Sequence, residues 1–160
     1  MIYTFGRIDA VMQMKVKDYY PNGKRWWVRL HEKGGKHHEM PAHHKLEEFM
    51  DEYLNAAGIG NQKKSPLFRS TRGRSRQLTK NALHRTNAWN MVQRRAKDAG
   101  IDTAICNHSF RATGITNYMQ NGGDITEAQK MAGHESVRTT GLYDRSDDSI
   151  TLDEIERISI

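Results

Sequence analysis

Residues able to act on an anion gather in the last third of the sequence. In His108-Ser109-Phe110-Arg111 an imidazole and a guanidinium stand at i and i+3, so one helix presents both on the same face. In the first turn of such a helix, free backbone N–H groups and the dipole also favour negative charge. Met131-Ala132-Gly133-His134 ends a helix at a glycine turn and supplies a second imidazole. Thr139-Thr140-Gly141-Leu142-Tyr143 then adds a phenol. Taken singly these are ordinary residues: His-x-x-Arg is more often a surface pair, and a tyrosine more often packs than reacts. What the residues by themselves permit is the binding of an anion.

Other chemistries fit less well. HEMPAH over residues 38–43 is one residue too long for a zinc-binding HExxH and contains a proline; HESVR over 134–138 ends in Arg where a second ligand belongs. His37-His38 and His43-His44 are adjacent pairs, whose rings diverge on a strand or helix, and they read as solvated histidines or phosphate contacts. No metal site is expected. Lys33-Gly34-Gly35-Lys36 has neither the length of a P-loop nor its Ser/Thr, and the sequence holds no GxSxG elbow. Nucleotide-driven and serine-hydrolase chemistry are therefore unsupported, and no cofactor is expected.

Composition agrees with an anionic partner. Twenty-five Lys+Arg against 19 Asp+Glu give a net charge of +6 with histidine neutral, a balance that suits nucleic acid or an acidic surface. A single cysteine, Cys106, excludes an internal disulfide framework and a multi-cysteine zinc site. The sequence has no apolar run of the roughly 18–20 residues a membrane helix needs, and its first residues lack the basic and apolar regions of a signal peptide. The expected setting is a reducing, cytoplasmic one with no membrane partner.

Helices and a small sheet must position these groups. Ile8, Val11 and Met12 have helical spacing. Strand character follows at Lys15–Tyr19, Arg25–His31 and Lys36–Pro41, with hairpin turns at Pro21-Asn22-Gly23 and Lys33-Gly34-Gly35-Lys36. Leu46, Phe49, Met50, Tyr53 and Leu54 make the apolar face of a helix over 42–56, stopped by Gly58. Residues 59–78 read as a basic loop anchored by Leu67 and Phe68. Thr79 is expected to cap a helix running to about Ala99, with Leu83, Trp89, Met91 and Val92 inward. Helices follow over His108–Gln120, over 125–132 with an Asp124/Glu127 capping box, and over a short stretch within 136–142. Thr151 and Glu154 cap a last helix striped by Leu152, Ile155 and Ile158. The fold class is α+β, mainly α-helical, with a three-stranded antiparallel sheet near the N-terminus.

In this order the residues resemble the catalytic domain of the tyrosine recombinases, the lambda-integrase, Cre and Xer type of site-specific recombinase. The family pattern of an early Arg, a Lys on a β-hairpin, His-x-x-Arg, a His or Trp, and a Tyr falls on Arg7, Lys33, His108 with Arg111, His134 and Tyr143. The intervals from Arg111 to His134 and on to Tyr143 match the family's, and HSFRATGITNYMQNGG, MAGHESVRTTGLYD and EKGGKHHEMPA carry its local wording. The resemblance runs from Arg7 to about Asp147. One departure stands beside Arg7. The family commonly has an acidic residue three positions on, where this sequence has Ala10; either Asp9 orients the arginine or it is held otherwise.

The resemblance implies the fold of DNA breaking-rejoining enzymes and a DNA strand transferase acting in recombination and integration of mobile elements. Tyr143 would attack a scissile phosphate to give a 3′-phosphotyrosine, with no metal or ATP. Arg7 and Arg111 would clamp the non-bridging oxygens, His134 would donate a hydrogen bond, and His108 would take the tyrosine's proton. Lys33 is the favoured general acid, with Lys36, Arg72, Arg74 and Arg138 on the flanking DNA backbone. Residues 1–160 are expected to form the catalytic domain, without the family's N-terminal DNA-clamp domain and its own first helix. The implied assembly is a homotetrameric synapse on double-stranded DNA in a prokaryotic cytoplasm or nucleoid, the isolated chain being a monomer or weak oligomer with its last helix able to dock on a neighbour. Two other readings share these residues: a non-catalytic DNA-binding fragment and a nicking-closing enzyme like the type IB topoisomerases. All three expect non-specific binding to duplex DNA whose affinity, followed by fluorescence anisotropy, falls steeply as salt rises; a flat salt dependence would contradict them.

Overall fold

Alternation of buried and part-exposed side chains makes Arg25–His31 (β2) the centre of a three-stranded antiparallel sheet, between β1 (Tyr19–Asn22) and β3 (His37–Pro41). The structure is a computed structural model describing residues 1–32, 35, 37–73, 75 and 77–144. Lys33, Lys36, Arg74 and the expected helix with Leu152, Ile155 and Ile158 lie outside the described residues. The helices are α1 (Ile8–Met12), α2 (His44–Ala57), α3 (Arg85–Asp98), α4 (Asn107–Gln120), α5 (Ile125–Ala132) and α6 (Val137–Gly141). Among the described residues no helix is long and apolar enough to cross a membrane.

Within the described residues the expected elements are present, with local corrections. Lys15–Tyr19 is not a strand. The buried Asp18 carboxylate accepts the Lys15 N–H at 2.8 Å and folds Val16–Asp18 into a single 3₁₀ turn, the local competition that short acidic side chains offer the backbone. Strand β1 starts only at Tyr19, so Pro21 and Asn22 belong to the edge strand, and the turn lies between the paired Asn22 and Arg25.

The basic stretch 59–78 is not wholly a loop. Arg69–Thr71 (β4) pairs with Leu78–Ala82 (β5) in a second, two-stranded sheet. Thr79 therefore caps nothing: its hydroxyl meets Ser70 Oγ across the hairpin at 2.6 Å, and α3 starts at Arg85 with the His84 imidazole accepting the Thr86 N–H. Ala88 is the buried residue of α3, while Trp89, one position round the helix, is 45% exposed. Asp124 caps α5 as expected, but Glu127 pairs forward with Lys130 at 2.5 Å rather than back to the cap.

Two buried clusters organise the chain. The larger joins Val11 and Met14 to Tyr19, Val28, Leu30 and Met40 of the sheet, Met50 of α2, and Ile59 and Leu67 of the loop after it. The smaller holds Phe5, Ile115 of α4 and Ala132 of α5, with Tyr118, Met131 and Tyr143 packed against it. Residues 5–11 run from the second cluster to the first and carry Arg7 across the seam. Gly114 is what lets this segment approach α4, because a Cβ there would collide with the Ile2 carbonyl oxygen and crowd the Phe5 ring. Gly114→Ala should therefore destabilise the protein by about 1–3 kcal/mol through overpacking, seen as a lower urea midpoint; an unchanged midpoint would contradict this packing.

Candidate active site

Helix α4 places His108 and Arg111 as its sequence predicts, but gives them different surroundings. Arg111 is 1% exposed. Its Nη1 donates to the Phe5 carbonyl, and its Nη2 donates to the Ala132 carbonyl at 2.6 Å. Phe5 has φ 49°, an uncommon conformation for a bulky residue and a strained one that the surrounding contacts must hold. Burial, then the nearby charge of Arg7, pushes the Arg111 pKa below the ordinary arginine value, though a guanidinium stays charged at neutral pH. Two of its five N–H donors are thus fixed by main chain.

Arg7 stands at the N-terminus of α1, half-exposed. Nη1 pairs with Glu32 Oε2 at 2.8 Å, and Nη2 donates to the Gly133 carbonyl at 3.3 Å. Gly133 closes α5 at φ 58°, a left-handed cap that suits glycine. Asp9 does not orient Arg7; it pairs instead with Arg85 of α3 at 3.3 Å. The acid that holds Arg7 is Glu32, at the end of β2 and next in sequence to Lys33. Nothing local in the sequence marks Glu32, since the pair spans the sheet and α1.

The phenol and both imidazoles converge. His108 Nε2 lies 2.9 Å from Tyr143 Oη, and the His134 ring stacks parallel to the Tyr143 ring with centroids 6.0 Å apart. Tyr143 is half-buried; its N–H donates to the Thr140 carbonyl, and its own carbonyl accepts from Thr116 Oγ1. Burial first, then the positive charge of Arg111 and Arg7, lowers the His134 pKa to about 4, so this imidazole is neutral at pH 7. Arg7, Glu32, His37, His38, Gly133, His134, Glu135 and Thr139 line a cleft of about 720 Å³. The site therefore combines two arginines, a neutral imidazole, and a phenol hydrogen-bonded to a second imidazole.

Other expected contacts divide. Arg72 in the β4–β5 hairpin and Arg138 on α6 are exposed. Arg69, from the same basic stretch, is not an outward contact: it is buried and bonded to Gln62 Oε1 and Ser65 Oγ at 2.6 and 2.7 Å, tying the loop to β4. A second cleft, between the β4–β5 hairpin and α3, is lined by Asn87, Asn90, Arg94 and Arg95 among others; the sequence gives no signal for it because it gives none for the hairpin. Among the described residues no group of three or more His, Cys, Asp or Glu is arranged to hold a metal.

Comparison with known proteins bears on the family and the fold. The family model described as the phage integrase family matches residues 1–149. The chain belongs to the phage integrase family. It is 28% identical over 144 residues to the tyrosine recombinase XerD of Mycobacterium leprae, covering 89% of this chain and 45% of that protein. It is 31% identical over 126 residues to XerD of Chlorobaculum tepidum, covering 77% and 39%. The chain thus spans less than half the length of these integrase-family relatives. Among solved structures it is similar to the XerA recombinase (TM-score 0.76, 23% identity, 98% of this chain and 53% of that one). It is also similar to a lambda integrase dimer bound to a COC′ core site (TM-score 0.70, 19% identity, 94% and 43%). These likenesses establish the α+β fold of the integrase catalytic domain.

The depressed His134 pKa has a measurable sign. Its imidazole signals should stay flat from pH 8 to pH 5.5 and move with a midpoint near 4. Below the ordinary histidine value the unfolded chain takes up this proton first, so the contribution to stability is present above about 6.5 and is lost as pH falls through about 4. A His134 midpoint near 6.5 in the folded protein would contradict the site's electrostatics.

Proposed function

We propose that the chain is the catalytic part of a site-specific DNA recombinase that cuts and rejoins strands through a 3′-phosphotyrosyl link on Tyr143. The observation that carries this is the 2.9 Å contact of His108 Nε2 with Tyr143 Oη, made beside Arg111 and Arg7. Family membership and the DNA-bound lambda integrase neighbour support the same reading.

The chemistry follows from the groups present. A free tyrosine has a pKa of about 10 and is a poor nucleophile at neutral pH, so its proton must leave as it attacks. With Nε2 unprotonated, His108 accepts that proton. As Oη bonds to phosphorus and the bond to the 5′-oxygen breaks, negative charge grows on the non-bridging oxygens. The free N–H donors of Arg7 and Arg111 bind there, and His134 adds a hydrogen bond. Lys33, next to Glu32, is assigned the proton delivered to the departing 5′-oxygen. The phosphate ester is conserved in the link to tyrosine, so a second 5′-hydroxyl reverses the step without ATP, and the arginines carry the charge stabilisation without a metal. Arg72, Arg74, Arg138 and Lys36 serve the flanking backbone, and the working assembly is a tetramer on duplex DNA.

A nicked suicide substrate tests the assignment. The full chain should form a covalent protein–DNA band that disappears in Tyr143→Phe and falls at least about a hundredfold in Arg7→Lys, as expected for loss of a charged clamp on the transition state. DNA bound without any covalent band would identify a binding module instead. Relaxation of a supercoiled plasmid without strand exchange between sites would identify a nicking-closing enzyme.

A further inference from the structure

We infer that Thr140 is a positioning residue of this site: its buried hydroxyl donates to Nδ1 of His134 and fixes that imidazole in the tautomer that carries its hydrogen on Nε2. The inference deepens the proposed function and rests on its assignment of His134 as a hydrogen-bond donor to phosphate.

The direction of the bond follows from accounting for donors. Thr140 is 0% exposed, and its Oγ1 lies 2.9 Å from His134 Nδ1. Among the described residues this is the hydroxyl's one side-chain hydrogen bond. Were Nδ1 the donor, the threonine hydrogen would be buried without a partner, the costlier of the two ways to leave such a group incomplete. Donation from threonine to Nδ1 gives the buried hydroxyl hydrogen its partner. Because His134 is neutral at pH 7, one ring nitrogen carries hydrogen and the other does not; Thr140 decides which. A neutral imidazole with its hydrogen on Nδ1 would turn a lone pair toward the phosphate oxygens and repel them.

The rest of His134 is held as firmly. Its N–H donates to the Gln129 carbonyl, and its carbonyl accepts from Gln129 Nε2, both at 3.1 Å. The ring is therefore fixed by α5 on one side and by Thr140 of α6 on the other. Thr140 also reaches the nucleophile, since its carbonyl accepts the Tyr143 N–H at 2.9 Å. One buried residue thus ties the donor imidazole to the turn that carries the phenol. The sequence offers Thr139 and Thr140 as equivalent neighbours; Thr139 lines the open cleft, whereas Thr140 is the one turned inward.

Long-range ¹⁵N–¹H correlation spectra of the full chain at pH 7 test this directly. The wild type should show His134 with a protonated Nε2 and an acceptor Nδ1. Thr140→Val, nearly isosteric, should shift His134 toward a mixture of tautomers and slow covalent capture of the suicide substrate about tenfold, with DNA affinity within about twofold. Thr140→Ser, which keeps the hydroxyl, should restore both. His134 protonated on Nδ1 in the wild type, which needs no variant to fold, would overturn the inference. So would a Thr140→Val protein with an unchanged tautomer. If the wild type shows the Nε2–H tautomer but captures no DNA, the positioning role stands and the recombinase reading fails.

Discussion

The architecture of the site depends on one buried charge. Arg111 lies in the interior with its guanidinium held by the carbonyls of Phe5 and Ala132. Those carbonyls come from opposite ends of the sequence: one precedes α1, and the other closes α5. Burying a guanidinium is unfavourable unless its donors are satisfied, so the two segments must be brought to α4 together. The strained Phe5 backbone, the missing side chain at Gly114 and the cap at Gly133 are local consequences of that requirement. Carbonyl dipoles satisfy donors without cancelling charge, which leaves the arginine able to attract an anion.

Around that fixed charge the other groups are balanced. Arg7 is half-exposed and shared between Glu32 and the Gly133 carbonyl. Glu32 holds it from the end of β2, so the position of this arginine is linked to the three-stranded sheet. Burial, and then the positive charge of the two arginines, keeps His134 neutral, and a neutral imidazole donates without adding a third repelling cation. In the proposed reaction these features divide the work: charge from arginine, a directed hydrogen bond from His134, and proton removal by His108.

Much of this was legible in the sequence, for physical reasons that differ by element. The helices over 44–57, 107–120 and 125–132 have apolar periodicity or sharp stops such as Gly58 and Gly133, signals that act within a few residues. The β4–β5 hairpin was missed because Arg-Ser-Thr and Leu-Thr-Lys-Asn-Ala show no alternation; side-chain hydroxyls and the anchor at Arg69 hold it instead. Of the site, the candidates His108, Arg111, His134 and Tyr143 were singled out by order, spacing and family resemblance. Glu32 was not, because its partner is far away in sequence, and Asp9, the nearer candidate, is taken by Arg85. Nothing in the sequence distinguishes Thr140 from Thr139; the turn of α6 does.

The central claim is that Tyr143 becomes bonded to the 3′-phosphate of a cut strand. Mass spectrometry of the DNA-linked peptide, after nuclease trimming of the covalent complex, tests it most directly. The account predicts a nucleotide remnant on the peptide containing Tyr143, joined through a 3′-phosphate. A remnant on another residue, or one joined through a 5′-phosphate, would contradict it.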